Sequence, residues 1–214
     1  HHVAGAVWSH ILDAEPLAIC EHHGDIVFCT HHRGIYRIGV DSEEVWRRKS
    51  LAWDLLSNLP DGDVLVVLTT VGNSIWAFSL GGGWAEIEGD SGQVIRKGIH
   101  QFKSSIHGVW FGGDGNWMFG LSGNRIAWWN SEDEDISVVN VNGPIQDAYM
   151  SDGSWMITGW RQDLRWSKSQ FHSQPDSGVR AEIGFKIVDR GDEGFWVLDN
   201  LGQWSTFAIE GENS

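Results

Sequence analysis

The sequence predicts an all-β protein. Helical periodicity is almost absent, and the apolar residues fall in short runs of four to seven, rich in Val, Ile, Trp and Phe. Gly, Asp, Asn and Ser separate these runs, as in strands joined by tight turns. One segment has a helical leaning, Ser50 to Leu56, where Leu51, Ala52, Leu55 and Leu56 precede Pro60.

The runs repeat. Five places share a glycine, any residue, and then a large apolar residue that opens a strand: Gly24-Asp25-Ile26, Gly62-Asp63-Val64, Gly115-Asn116-Trp117, Gly153-Ser154-Trp155 and Gly194-Phe195-Trp196. Asp61, Asp114 and Asp152 directly precede three of these glycines. A two-residue hairpin needs positive φ at its centre, which Gly supplies freely and Asp tolerates. The intervals are 38, 53, 38 and 41 residues, and the long one holds Gly81-Gly82-Gly83 and the polar stretch from Gly89 to Gly92, read as a loop insertion. A second turn follows each first one, at Arg33-Gly34, Gly72-Asn73, Gly123-Asn124, Gln162-Asp163 and Gly202-Gln203. Each unit thus reads strand, turn, strand, turn, strand over about 40 residues, the length of a propeller blade.

The chain therefore resembles a small, five-bladed β-propeller, by periodicity over nearly all of its 214 residues. No single family is indicated: the Gly-His dipeptide of WD40 blades is absent, Trp-Asp does not recur with the repeat, and kelch double glycines do not fall at fixed places. The expected blades are 15–50, 51–98, 99–143, 144–183 and 184–214 in one domain, 1–214. The segment Val3-Ala4-Gly5-Ala6-Val7-Trp8 is expected to supply the outer strand of the last blade and so close the ring.

Composition removes several functional classes. Asp+Glu number 29 against Lys+Arg 15, a formal charge of −14, which opposes sequence-independent binding to phosphate backbones. Arg47, Arg48 and Lys49 form one small basic patch, read as a solvated strand end. The longest apolar stretch, Val64 to Leu68, is far short of the ~20 residues of a membrane helix. With no basic-then-apolar leader, a cytoplasmic location is expected.

Tryptophan is the most unusual residue, at 14 copies. Trp76, Trp117, Trp128, Trp155, Trp166, Trp196 and Trp204 fall at repeat-equivalent strand positions and are expected to wedge the sheets apart. Trp8, Trp46, Trp53, Trp84, Trp110, Trp129 and Trp160 lie outside or beside the repeat. Of these, Trp84, Trp110, Trp129 and Trp160 are the candidate contact residues.

The densest local pattern is Cys20-Glu21-His22-His23-Gly24-Asp25-Ile26-Val27-Phe28-Cys29-Thr30-His31-His32. A turn at Gly24-Asp25 places Cys20 opposite Cys29, with His22 and His31 on the same face. Two thiols and two imidazoles suit tetrahedral zinc, and the same pairing allows a disulfide. The preferred reading is two small buried thiols, so no metal or cofactor is expected. The acidic run Glu132-Asp133-Glu134-Asp135 lacks the ligand alternation of an EF-hand loop and reads as a solvated turn, open to a basic partner.

No nucleophile elbow, His-Glu-x-x-His or P-loop pattern occurs. The expected function is a non-enzymatic platform for a basic protein or peptide partner, as a monomer or within a larger complex, with no nucleic-acid or membrane partner. What the propeller resemblance implies as alternatives is a lectin, with one like site per blade, or a glycosidase using Asp13, Asp54, Asp147, Glu182 or Asp189.

Overall fold

The computed structural model describes residues 4–9, 11–12, 14–31 and 33–209. Its strands form five antiparallel meanders. Sheet 1 is β1 (Pro16–His22), β2 (Asp25–Thr30), β3 (Gly34–Ile38) and β4 (Glu44–Arg48). Sheet 2 is β5 (Leu65–Val71), β6 (Ser74–Ser79), β7 (Gly83–Glu88) and β8 (Val94–Ile99). Sheet 3 is β9 (Ile106–Phe111), β10 (Asn116–Leu121), β11 (Arg125–Asn130) and β12 (Asp135–Asn140). Sheet 4 is β13 (Ile145–Ser151), β14 (Ser154–Gly159), β15 (Gln162–Ser167) and β16 (Asp176–Val179). Sheet 5 is β17 (Gly184–Asp189), β18 (Phe195–Asp199) and β19 (Trp204–Thr206). Sheets 1 to 4 each gain an outer strand beyond the three that the repeat predicts. No helix among the described residues is long and apolar enough to cross a membrane.

The chain divides into two compact units, His1–Ile106 and His107–Ser214. In the first, sheets 1 and 2 meet over an aliphatic core that includes Val27, Ile35, Leu68, Ile75 and Ile87. In the second, sheets 3 and 4 meet over Met118, Trp128, Trp155 and Trp166, and sheet 5 adds Ile187 and Val197 against Met156. Sheet 5 is held close because β17 begins with glycine: a Cβ at Gly184 would lie 1.9 Å from the Thr158 hydroxyl.

Five expectations need correction. The repeat's second turn is Gly72, not Gly62, because Gly72 joins β5 to β6 just as Gly24 joins β1 to β2. The first-hairpin glycines are therefore 24, 72, 115, 153 and 194, at intervals of 48, 43, 38 and 41. The extra length lies before β5, where Asp54–Leu56 makes one 3₁₀ turn in place of the expected helical segment. Gly81 and Gly92 sit in ordinary connections between neighbouring strands of sheet 2.

The turn expected at Gln162-Asp163 falls one step earlier, with Arg161 at φ 54° and Gln162 already in β15. The closing strand is not formed by the described part of its segment: residues 4–8 are turn and bend, with Gly5 at φ 86°. Trp8 instead donates its Nε1 proton to the Val40 carbonyl, at 2.9 Å. Val3 lies outside the described residues.

Candidate binding surfaces

The cysteine hairpin turns at His23-Gly24, both with positive φ (51° and 87°), not at Gly24-Asp25. Glu21 fixes this turn by accepting the Gly24 amide. The register consequently pairs Cys20 with Val27 and Cys29 with Ala18, a shift of two residues that leaves both thiols on one face but diagonal. Both are free thiols, packed toward β5: Cys20 accepts from the Thr70 hydroxyl at 3.7 Å, and Cys29 lies 3.9 Å from the Leu65 carbonyl. Burial pushes the Cys29 thiol up to about 11 and raises Cys20 as well. His31 stands beyond the end of β2, and His32 lies outside the described residues. No group of three or more His, Cys, Asp or Glu among the described residues could hold a metal ion.

His22, on the same face as Cys20, is fully buried. Its ring lies on Gly89, where a Cβ would fall 2.1 Å from Nε2, and neither ring nitrogen meets a hydrogen-bond partner among the described residues. Desolvation, then the Arg37 guanidinium, holds the imidazole below its ordinary pKa. Arg37 itself is tied to Asp25 (2.8 Å), the Gly89 carbonyl (2.8 Å) and Asp90 (3.2 Å). This corner joins sheets 1 and 2 and leaves little room for a ligand.

The four candidate tryptophans are scattered. Trp84, half-buried, lies on Gly98 and carries the Arg96 guanidinium 5.7 Å from its ring centre. In the second unit, Trp110 covers Gly108, and Trp129 is only 3% exposed beside Trp117 and Phe119. Trp160 covers Gly143 and is 49% exposed, the most open of the four. Six of the seven repeat-equivalent indoles are buried or half-buried; Trp204 is 42% exposed.

Two of the candidate carboxylates, Asp147 and Asp189, are occupied locally. Asp147 accepts the Ile187 amide at 2.8 Å and pairs with Lys186 at 3.0 Å, tying β13 to β17. Asp189 accepts the Gly191 amide at 2.8 Å, Asp54 opens the 3₁₀ turn of the first unit, and Glu182 precedes β17. Asp13 lies outside the described residues.

The acidic run proves part of a built surface. Asn130 Oδ1 accepts the amides of Glu132 and Asp133 at 2.9 and 3.2 Å, so the turn from β11 to β12 is held in one shape. Asn116, across the ladder from Asn130, accepts the Trp128 indole proton at 3.0 Å. Two adjoining hollows share Asn116, Asn130, Asp133 and Lys168. The polar one, about 360 Å³, adds Asp114, Glu132, Asp152 and the thioether of Met150. The other, about 230 Å³, adds Asp135, Phe171 and His172 over Trp128. Sequence reasoning found the acids but missed Lys168, Phe171 and His172, which arrive on the connection between β15 and β16.

A second concavity, about 800 Å³, lies over the outer face of sheet 1. Its floor is a cross-strand row, Ile19, Phe28, Tyr36 and Arg47, in which Phe28 stacks on Tyr36 at 5.1 Å and the Arg47 guanidinium sits 5.1 Å over Tyr36. Trp8, Ile11 and Leu12 form one wall, and Glu43 and Glu44 stand on the rim.

No protein-family model and no curated protein matches this chain. Solved structures do. Sqt1 of Saccharomyces cerevisiae aligns over 87% of this chain and 55% of its own, at 10% identity and a TM-score of 0.65. The WD40 repeats of RRP9 align over 88% and 58%, at 10% identity and a TM-score of 0.64. BamB from Moraxella catarrhalis aligns over 90% and 61%, at 10% identity and a TM-score of 0.55. The chain thus spans less than two thirds of the length of each of these proteins. At such identities the likeness is one of fold, and the fold is that of WD40 and other β-propeller proteins.

Proposed function

We propose that this protein is a non-enzymatic interaction platform, and that the paired hollows of the second unit receive a basic, extended peptide segment. One observation carries the reading: five carboxylates, Asp114, Glu132, Asp133, Asp135 and Asp152, ring two joined hollows in which Lys168 is the one Lys or Arg among the lining residues. Phe171, half-buried with its ring packed edge-on to the buried Trp128, offers an aromatic surface for the alkyl stem and planar head of an arginine. The strand-borne asparagines fix the acidic turn in advance, which lowers the ordering cost of binding. The two concavities differ in their linings, which supports a platform over a lectin with one like site per sheet.

The test is fluorescence anisotropy with a labelled peptide of alternating Arg and Ala, and with its Glu counterpart as control. The arginine peptide binds, weakens as salt rises, and loses at least tenfold in affinity with Asp133→Lys. Equal binding of both peptides, or indifference to Asp133→Lys, overturns the reading.

A further inference from the structure

The smaller hollow of the second unit is lined by one histidine. His172 lies on the connection between β15 and β16, its side chain 73% exposed and its ring edge-on to Phe171, 4.8 Å between centroids. Its Nε2 stands 3.5 Å from Asp135 Oδ2, at the start of β12. The other charged residues lining this hollow are Asp133, on the turn before β12, and Lys168, on the histidine's own connection. Asp176 of β16 accepts the Gln170 side-chain amide at 3.1 Å. The connection is tied down along its length: the Lys168 amide donates to the Gly153 carbonyl at 3.1 Å, and the Trp166 indole donates to the Gln170 carbonyl at 2.9 Å. His172 is thereby held beside Asp135. Of the residue types lining the hollow, imidazole is the one whose charge ordinarily changes between pH 5 and 8.

We propose that His172 is a proton-operated brake on this site, an inference that rests on the binding of a basic segment proposed above. Protonated, His172 takes Asp135 as its own counter-ion and repels an incoming guanidinium; neutral, it leaves Asp135 to the partner. The sign follows from charge. A proton on His172 adds a positive charge to a hollow that must receive another, and Asp135 is one of only two carboxylates lining that hollow. Without the proton, the ring extends the aromatic surface of Phe171 at no electrostatic cost to a cation. Binding of the basic segment is therefore tighter at pH 7.5 and weakens as pH falls toward 5.5.

Fluorescence anisotropy at pH 7.5 and 5.5, at fixed ionic strength, tests this on the parent chain, His172→Gln and His172→Lys. The probe is the peptide of alternating Arg and Ala, with both ends capped and a dye that does not titrate in this range. Circular dichroism at both pH values checks that each chain is folded, and the exposed position tolerates both substitutions. The parent loses about threefold in affinity at pH 5.5, the scale of one exposed charge pair. His172→Gln binds at both pH values as the parent does at 7.5, and His172→Lys binds at both as the parent does at 5.5. A parent that binds equally at the two pH values overturns the brake and leaves the binding site standing. So does a His172→Gln chain that still loses affinity in acid. A parent that binds the peptide at neither pH overturns the brake and the binding site together.

Discussion

The joint between sheets 1 and 2 and the joint between sheets 3 and 4 have the same strand plan and opposite fillings. In the first unit the centre is aliphatic, with Val27, Ile35, Leu68, Ile75 and Ile87 between the sheets. Indoles enter only from connections and the outer strand: Trp53 lies against Gly83, and Trp46 lies against Gly92 with its Nε1 proton on the Gly89 carbonyl at 2.7 Å. In the second unit the indoles of Trp128, Trp155 and Trp166 sit at the centre, all at or below 1% exposure. Trp128 and Trp166 place their Nε1 protons on Asn116 and on the Gln170 carbonyl, whereas that of Trp155 meets no acceptor among the described residues. The lesson is that a wedge between twisted sheets is filled either by many small side chains or by a few large ones. The large ones make each position more costly to lose.

Truncation breaks this comparison most severely. Trp155→Ala destabilises by about 3–5 kcal/mol, whereas Ile35→Val in the first unit loses about 0.5–1.5 kcal/mol. Urea unfolding read by far-UV circular dichroism measures both, and equal losses would erase the contrast.

The buried charges differ in a similar way. In the second unit the fully buried Asp163 takes the Thr158 hydroxyl at 2.6 Å, and Arg180 and the Ala208 amide at 2.7 Å each. Asp163→Ala removes the one carboxylate that the structure sets against the buried Arg180 guanidinium, leaving it only the Thr206 carbonyl and the Ser205 hydroxyl, and costs about 3–5 kcal/mol. Asp25→Ala in the first unit costs about 1.5–3 kcal/mol, because Arg37 keeps the Gly89 carbonyl and Asp90. A guanidinium-chloride series on the two variants ranks them, and the reverse order would refute the reading of Arg37 as multiply anchored.

The smallest effect is on pH. Burial lowers the pKa of His22 and takes His100 to about 4 in the first unit. The folded form therefore holds fewer protons than the unfolded form below pH ~6.5. Stability is full above that value and declines as pH falls toward 4. His22→Gln flattens part of this slope in thermal melts taken between pH 7 and 5; an unchanged slope would assign it to other groups.

Much of the fold was written in the turns. Asp114-Gly115 and Asp152-Gly153 lie where their dipeptides indicate, with positive φ at both residues of each. Asp61-Gly62 misled because its Asp also adopts φ 56°, yet it serves the loop before β5, where Gly81 presses on the Gly62 backbone. The true hairpin at Gly72 carries no aspartate to mark it. The cysteine register escaped because His23 accepts a left-handed conformation that its side chain does not advertise. Of the surfaces, the acidic run was legible and its neighbours were not. Lys168 and Phe171 reach Asp133 through a connection some 35 residues away, and no local pattern encodes that approach.

The two thiols have a practical consequence. Their raised pKa values keep Cys20 and Cys29 protonated near neutrality, in the slow-reacting form. A single cysteine introduced on an open loop would therefore outpace both toward maleimide reagents. The native sequence already serves as a nearly silent background for site-specific dyes or spin labels.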